Sequence, residues 1–231
     1  MVGVDPPALV DAREHGIEQR ELAEVIAGMR ARTAGTVAIA GTELAGPDPR
    51  KAQEAGLAHV PEDRLHTGLS PSLSIEDNLA LTAHRRPPLS RGPFLRRARI
   101  RSRAVDLIER YDIRAPGPAT PTRVLSGGNV QKVLLARELS SDPKVLVAAS
   151  PTRGLDVGAI EAARTLLAGA ADRGVGILLL SEDLDEILSL SDRVAVIYEG
   201  AILAVVDRAD ADVEELGLLM GGDTSHLGGA A

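Results

Sequence analysis

The chain has 231 residues, 44% hydrophobic and 26% charged, with a net charge of −7 at pH 7, which allows one large domain or two small ones of ordinary globular composition. The absence of cysteine excludes disulfides, thiolate catalysis and cysteine metal sites. The acidic balance, with Phe94, Tyr111 and Tyr198 the only aromatics, argues against a nucleic-acid partner.

No apolar run approaches the roughly 20 residues that span a bilayer. The N-terminal "MVGVDPPALVDAREHG" has no basic segment ahead of an apolar core, so no secretion signal is expected. Both points suit a cytosolic protein, or one docked on something membrane-bound. "QRELAEVIAGMR" puts Leu22, Val25, Ile26 and Met29 at helical spacing and predicts an amphipathic helix that ends near Gly28. "TVAIAGTEL" reads as a short strand closed by Gly41, and "GLAHVPEDR" as another stopped by Pro61.

Ser74 is placed to cap a helix, with Asp77 three residues on and Ile75 and Leu79 behind it. From Arg85 to Arg103 the chain is dense in arginine and broken by Pro87, Pro88 and Pro93. "RSRAVDLIERYDI" predicts a helix with Val105, Ile108 and Tyr111 on one face. "RAPGPATPTR" is a Pro/Gly-rich connector and the best internal boundary. Beyond it come a helix with Val130, Val133, Leu134 and Ala136 inward, the strand "KVLVAAS", the helix "VGAIEAARTLLAGAADRG", the strand "VGILLLS" and the helix "DLDEILSLS". Two strands, "RVAVIYEG" and "AILAVVD", and a helix, "DVEELGLLMG", follow; the tail "GGDTSHLGGAA" is expected to be disordered. Apolar strands alternating with helices predict an α/β fold, a parallel sheet covered on both faces.

"LSGGNVQKVLLAREL" carries the first chemistry. Ser126, Gly127, Gly128 and Asn129 run straight into a helix. Two glycines there leave backbone N–H groups bare at the positive end of the dipole, which suits a phosphate. A plain serine cap with flexible glycines is the alternative. The series continues with "SPTRGLDVGA", "LLLSEDLDEILSLSDRVAVIYEG" and "EELGLLM", and "GLAHVPEDRLHTGLSPSLSIEDNLAL" stands upstream. Together these motifs resemble the nucleotide-binding domain of ATP-binding-cassette (ABC) transporters. More narrowly, they resemble the second, C-terminal cassette of the tandem ATPases in simple-sugar and nucleoside importers, over about Gln19 to Gly221.

The resemblance implies a P-loop NTPase-like core with a mostly parallel sheet, a small antiparallel β part and a helical subdomain. Its parts would be core at 1–84, helical subdomain at 85–124, core again at 125–221 and a tail at 222–231. It implies ATP as ligand, with Mg²⁺ at a partner's site, and three kinds of partner: a second, intact cassette, membrane-spanning permease subunits and, indirectly, a solute-binding protein. It also implies a cytoplasmic location, peripheral at the inner face of the membrane.

Aligned on that family, the phosphate loop falls on "REHGIEQR", Arg13 to Arg20. Only Gly16 remains of its glycines; Gln19 stands where lysine belongs and Arg20 where Ser or Thr belongs. Arg13 and Glu18 replace the flanking glycines, and Pro6 and Pro7 interrupt the strand before the loop. Glu62 falls at the glutamine-loop position. The strand that should end in Asp–Glu ends in Ala149 and Ser150, which can neither hold a Mg²⁺-bound water nor orient an attacking one. Glu182 replaces the switch histidine, and no aromatic precedes Phe94 to stack on adenine.

What remains intact is Ser126–Asn129 and Asp156, the parts a cassette lends across a dimer. The expectation is therefore a degenerate cassette with no catalytic residues of its own and weak or no ATPase activity alone. A non-transport scaffold and a truncated, decayed cassette are the alternatives. The arginine run reads as a solvated surface, with acidic lipid headgroups or an acidic patch on a membrane subunit as the other reading. His15, His59, His66, His84 and His226 are scattered and suggest no metal site.

Overall fold

The computed structural model describes residues 19–225. The expectations for Arg13, His15, Gly16, Glu18, Pro6, Pro7 and His226 lie outside the described residues. The centre is a parallel sheet in the order β3-β6-β7, formed by β3 (Leu57–Val60), β6 (Val145–Ala149) and β7 (Gly176–Leu180). Val145 stands beside Leu57 on one side and Gly176 on the other. Every residue of β6 is buried, as a strand covered on both faces requires.

Alternation along β6 divides the core in two. Leu146 and Ala148 join α5 (Gly127–Leu139) and α6 (Val157–Asp172) in one cluster. Val145 and Val147 pack with Ala23, Ile26 and Ala27, at and just after α1 (Gln19–Ile26), and with Ala52 of α2 (Pro49–Ala55). A third cluster holds Val194 and Val196 of β8 (Arg193–Tyr198) against Leu216 and Leu219 of α8 (Val213–Met220). β8 pairs antiparallel with β9 (Ala201–Asp207), and α7 (Leu184–Leu190) precedes them.

Three local expectations are corrected. The segment 36–44 holds the expected strand, β1 (Ala38–Ile39), closed at Gly41, but the residues after it return as β2 (Thr42–Glu43) in a minimal hairpin. The chain reverses at Ala40 and Gly41, with φ of 47° and 82°, the two left-handed positions of a tight hairpin turn. Met29 is 45% exposed, because α1 stops at Ile26 and Gly28 turns the chain away with φ +72°. Val105 is 47% exposed. The helix that carries it, α4 (Arg97–Arg110), starts four residues earlier than its apolar pattern announced and buries Ile100, Ala104 and Leu107 instead.

The residues between the two halves of the core form α3 (Ile75–Ala80), a small hairpin of β4 (Ser90–Arg91) and β5 (Phe94–Leu95), and α4. The Ser74 hydroxyl caps α3, as its spacing predicts, by accepting from the Asp77 N–H at 3.1 Å. Asn78, fully buried, donates to the carbonyls of Ser70 and Ser74 and accepts from the Ser70 N–H at 2.8 Å, which closes the turn ahead of the helix.

This packing makes a stability contrast. Leu134 is fully buried on α5; Leu134→Ala is expected to cost about 2–5 kcal/mol, whereas Val105→Ala stays within about 0.5 kcal/mol of the parent. Urea denaturation of the two variants measures both.

Candidate nucleotide-related site

Two groups of residues face each other near the ends of β3 and β6. The first is the tip of α5. Ser126 caps that helix, with its Oγ accepting from the Asn129 side chain at 2.9 Å and facing the Asn129 N–H at 3.5 Å. Asn129 Oδ1 accepts from the Arg114 N–H at 2.7 Å, so the amide pins the preceding connector to the tip. Ser126 and Gly127 are exposed. The helix behind them runs 13 residues, and its first N–H groups face outward without intrahelical acceptors.

The two glycines differ in what confines them. A Cβ on Gly127 would meet nothing nearer than Leu155 at 3.7 Å, but a Cβ on Gly128 would lie 2.7 Å from the Ala159 Cβ. Gly128 therefore lets the start of α5 touch the start of α6. Asp156 caps α6 by accepting from the Ala159 N–H at 2.9 Å, and one carboxylate oxygen lies 4.0 Å from the Gly128 Cβ position. The structure thus brings Ser126–Asn129 and Asp156 together on one edge.

The second group lines a cleft of about 510 Å³ that includes Arg20, Glu24, His59, Glu62, Ala149 and Arg153. Gln19 and Arg20 open α1. Gln19, Ser150 and Glu182 are not among the lining residues. The charges in the cleft engage one another. Arg20 donates to Glu24 at 3.0 Å and Arg153 pairs with Glu62. The hydrogen bond from Arg20 foremost, helped by Arg30, holds the Glu24 carboxyl below the usual range. At the end of β6, Ala149 presents a methyl group to the cleft. Ser150 takes φ 43° and donates its N–H to the Leu180 carbonyl at 2.7 Å; that left-handed backbone is uncommon for a residue with a side chain. Among the described residues no His, Asp or Glu cluster could hold a metal ion, and Ala149 offers no ligand where the cleft would need one.

Arg64 and Arg153 link the two groups, and neither was singled out by sequence. Asp63 caps a single π-helical turn, Arg64–Gly68, by accepting from the N–H groups of Leu65 and His66. Such turns are rare and cluster at functional sites. The turn aims Arg64 at the loop before α6, where Nη2 donates to the Arg153 carbonyl at 3.1 Å. The same Nη2 lies 3.5 Å from the Gly154 Cβ position and 4.0 Å from that of Gly127. Gly68 seats the turn against Leu134 of α5, 3.0 Å away from where its Cβ would be.

His59 is the other missed residue. It lies on β3, its N–H faces Glu138 Oε2 at 3.4 Å, and its Nε2 is buried without a partner among the described residues. Burial foremost drives its pKa down to about 4; nearby Arg137 lowers it further and Glu24 opposes.

The arrangement is an ATP-binding-cassette fold. The chain superposes on a nucleotide-free ATP-binding cassette from an ABC transporter with a TM-score of 0.70 at 18% identity, covering 91% of this chain and 82% of that one. It also superposes on the dimeric post-hydrolysis state of the cassette MJ0796, bound to ADP and Pi, with a TM-score of 0.68 at 20% identity, covering 81% of this chain and 79% of that one. The family model described as "ABC transporter" matches residues 21–153, more than half of the sequence, and the chain belongs to that family.

Its curated relatives include the guanosine import ATP-binding protein NupO of Bacillus subtilis, 43% identical over 94% of this chain and 42% of that protein. The glucose import ATP-binding protein TsgD13 of Haloferax volcanii is 44% identical over 93% of this chain and 40% of that protein. The nucleoside import ATP-binding protein NupA of Lactococcus lactis is 41% identical over 90% and 41%. The chain spans about two fifths of the length of these relatives.

Two outcomes follow from the geometry. Gly128→Ala is expected to cost about 1–3 kcal/mol by overpacking against Ala159, while Gly127→Ala stays near the parent; thermal melts separate them. His59, with its folded pKa below the unfolded value, stays neutral in the native state. Its contribution is present above pH 6.5 and is lost as pH falls toward 4, by roughly 1.4 kcal/mol per pH unit. Denaturation at pH 7 and pH 5 is expected to show this loss in the parent and a smaller one in His59→Gln.

Proposed function

We propose that this chain is an ATP-binding component of an importer for nucleosides or simple sugars, and that it serves as the cassette that lends its α5 tip to a partner's nucleotide. The names of its relatives support the transport reading. The observation that carries the division of labour is the end of β6. Ala149 and Ser150 stand there, beside a cleft whose arginines and carboxylates are engaged with each other, whereas Ser126 and Gly127 are exposed.

In this reading ATP and its Mg²⁺ sit in an intact second cassette. The exposed N–H groups of α5 and the Ser126 hydroxyl approach the γ-phosphate from across the interface, where preorganised donors and the helix dipole stabilise developing charge. Asp156, already fixed as the cap of α6, positions the neighbouring loop against the partner. Residues 85–124 form the helical subdomain, and the protein works at the inner face of the membrane. Arg20 and Glu62 line a vestigial cleft that holds nucleotide weakly at most, with Gln19 beside Arg20 at the start of α1; Gly16, outside the described residues, is the remaining residue of the degenerate phosphate-loop sequence.

The test is phosphate release by the chain alone, by an intact partner cassette alone and by the two together. The chain alone is expected to turn over at background, and the pair faster than the partner. Gly127→Asp is expected to remove the stimulation by tenfold or more, because a carboxylate at that tip repels the γ-phosphate. A Cβ at Gly127 makes only ordinary van der Waals contact, with Leu155 at 3.7 Å and Arg64 Nη2 at 4.0 Å, so the fold survives the change. Hydrolysis by the chain alone at the rate of an intact cassette, or a Gly127→Asp pair as active as the parent, refutes the reading.

A further inference from the structure

We propose that the β4–β5 hairpin is a docking surface for an anionic lipid bilayer, touched directly by this chain. The segment 85–103 carries eight arginines and no acidic residue in a chain of net charge −7. Three of those arginines are spent inside the fold. Arg97 pairs with Asp77, Arg101 pairs with Glu76 at 2.9 Å, and Arg103 donates to the Leu79 carbonyl at 3.0 Å and to the Ser140 hydroxyl. Arg85, Arg86, Arg91, Arg96 and Arg99 are exposed, and among the described residues their side chains have no acidic or hydrogen-bonding partner.

An apolar tip stands among them. Phe94, the chain's single phenylalanine, is 75% exposed, and Leu95 beside it is 46% exposed. Adjacent residues of a strand point to opposite faces, so the tip is bare on both sides. A protein partner covers one face of such a hairpin; the interfacial layer of a bilayer surrounds a protruding tip on all sides. The base of the hairpin is anchored. Leu89 is buried against Ile100 and Ala80, and the Arg96 N–H donates to the Leu89 carbonyl at 2.8 Å. Cations ringing an aromatic and an aliphatic side chain on a fixed base match anionic headgroups above an acyl layer.

This surface lies apart from the α5 tip, so the inference stands or falls separately from the signature-lending role. The experiment is flotation of the full chain with vesicles of phosphatidylcholine alone and with about one third phosphatidylglycerol, at about 0.05 M and 0.5 M salt. Binding is expected only with phosphatidylglycerol and only at the lower salt. Each arginine near such a surface contributes about fivefold in partitioning, so the double reversal Arg91→Glu, Arg96→Glu is expected to weaken binding more than a hundredfold. Phe94→Ala is expected to weaken it about tenfold. All three positions are exposed, and unchanged thermal melts establish that the variants fold. Absence of binding to phosphatidylglycerol vesicles at low salt, or binding equal in parent and variants, overturns the proposal. So does a photo-crosslinker at position 94 that, in the assembled transporter in membranes, captures an acidic protein segment in place of lipid.

Discussion

Burial of β6 on both faces is the constraint from which the other arrangements follow. A strand with no solvent side must find a hydrogen-bonding neighbour on each edge and an apolar cover above and below. β3 and β7 supply the edges. The cover on one face is α5 and α6, and on the other α1 and α2 with the residues that follow them. α5 is held there by Val130, Val133 and Leu134, with its capping Ser126 and first residue Gly127 left exposed. The same packing delivers Ala149 to the floor of the cleft. The position of the α5 tip is thus set by the core, not by the loop that precedes it.

Around that core the polar contacts separate two groups of residues. The cleft side is closed by ion pairs, Arg20 with Glu24 and Arg153 with Glu62. The tip side is stiffened by neutral bonds, Ser126 with Asn129 and Asn129 with Arg114. Arg64 spans the gap, since its guanidinium reaches the Arg153 carbonyl while its own turn is packed on Leu134. The cleft charges therefore neutralise each other, while Ser126 and Gly127 at the tip stay exposed.

Much of this was legible in the residues. "KVLVAAS" announced a buried strand, and Ser74 and Ser126 announced caps; that Ser126–Asn129 and Asp156 share one edge comes from the structure. The failures have local physical causes. Nothing in "TVAIAGTEL" shows that Ala40 adopts a left-handed backbone, so the return strand of the hairpin went unread. The arginines at the start of α4 hid its first turn, which shifted the inward face and put Val105 on the wrong side. Arg64 meets Arg153 across 89 residues of chain, a contact made by tertiary approach alone. His59 looked like one of several scattered histidines; its burial, with Nε2 unpartnered among the described residues, is a product of the fold.

The near-contact between Gly128 and Ala159 has a mechanical side. Two helix starts set so close, with only the Ala159 methyl group between them, leave no backlash in the joint. A swing of the Asp156 loop must carry the glycine tip with it, as one gear tooth carries the next, and a single added methyl group would jam the mesh.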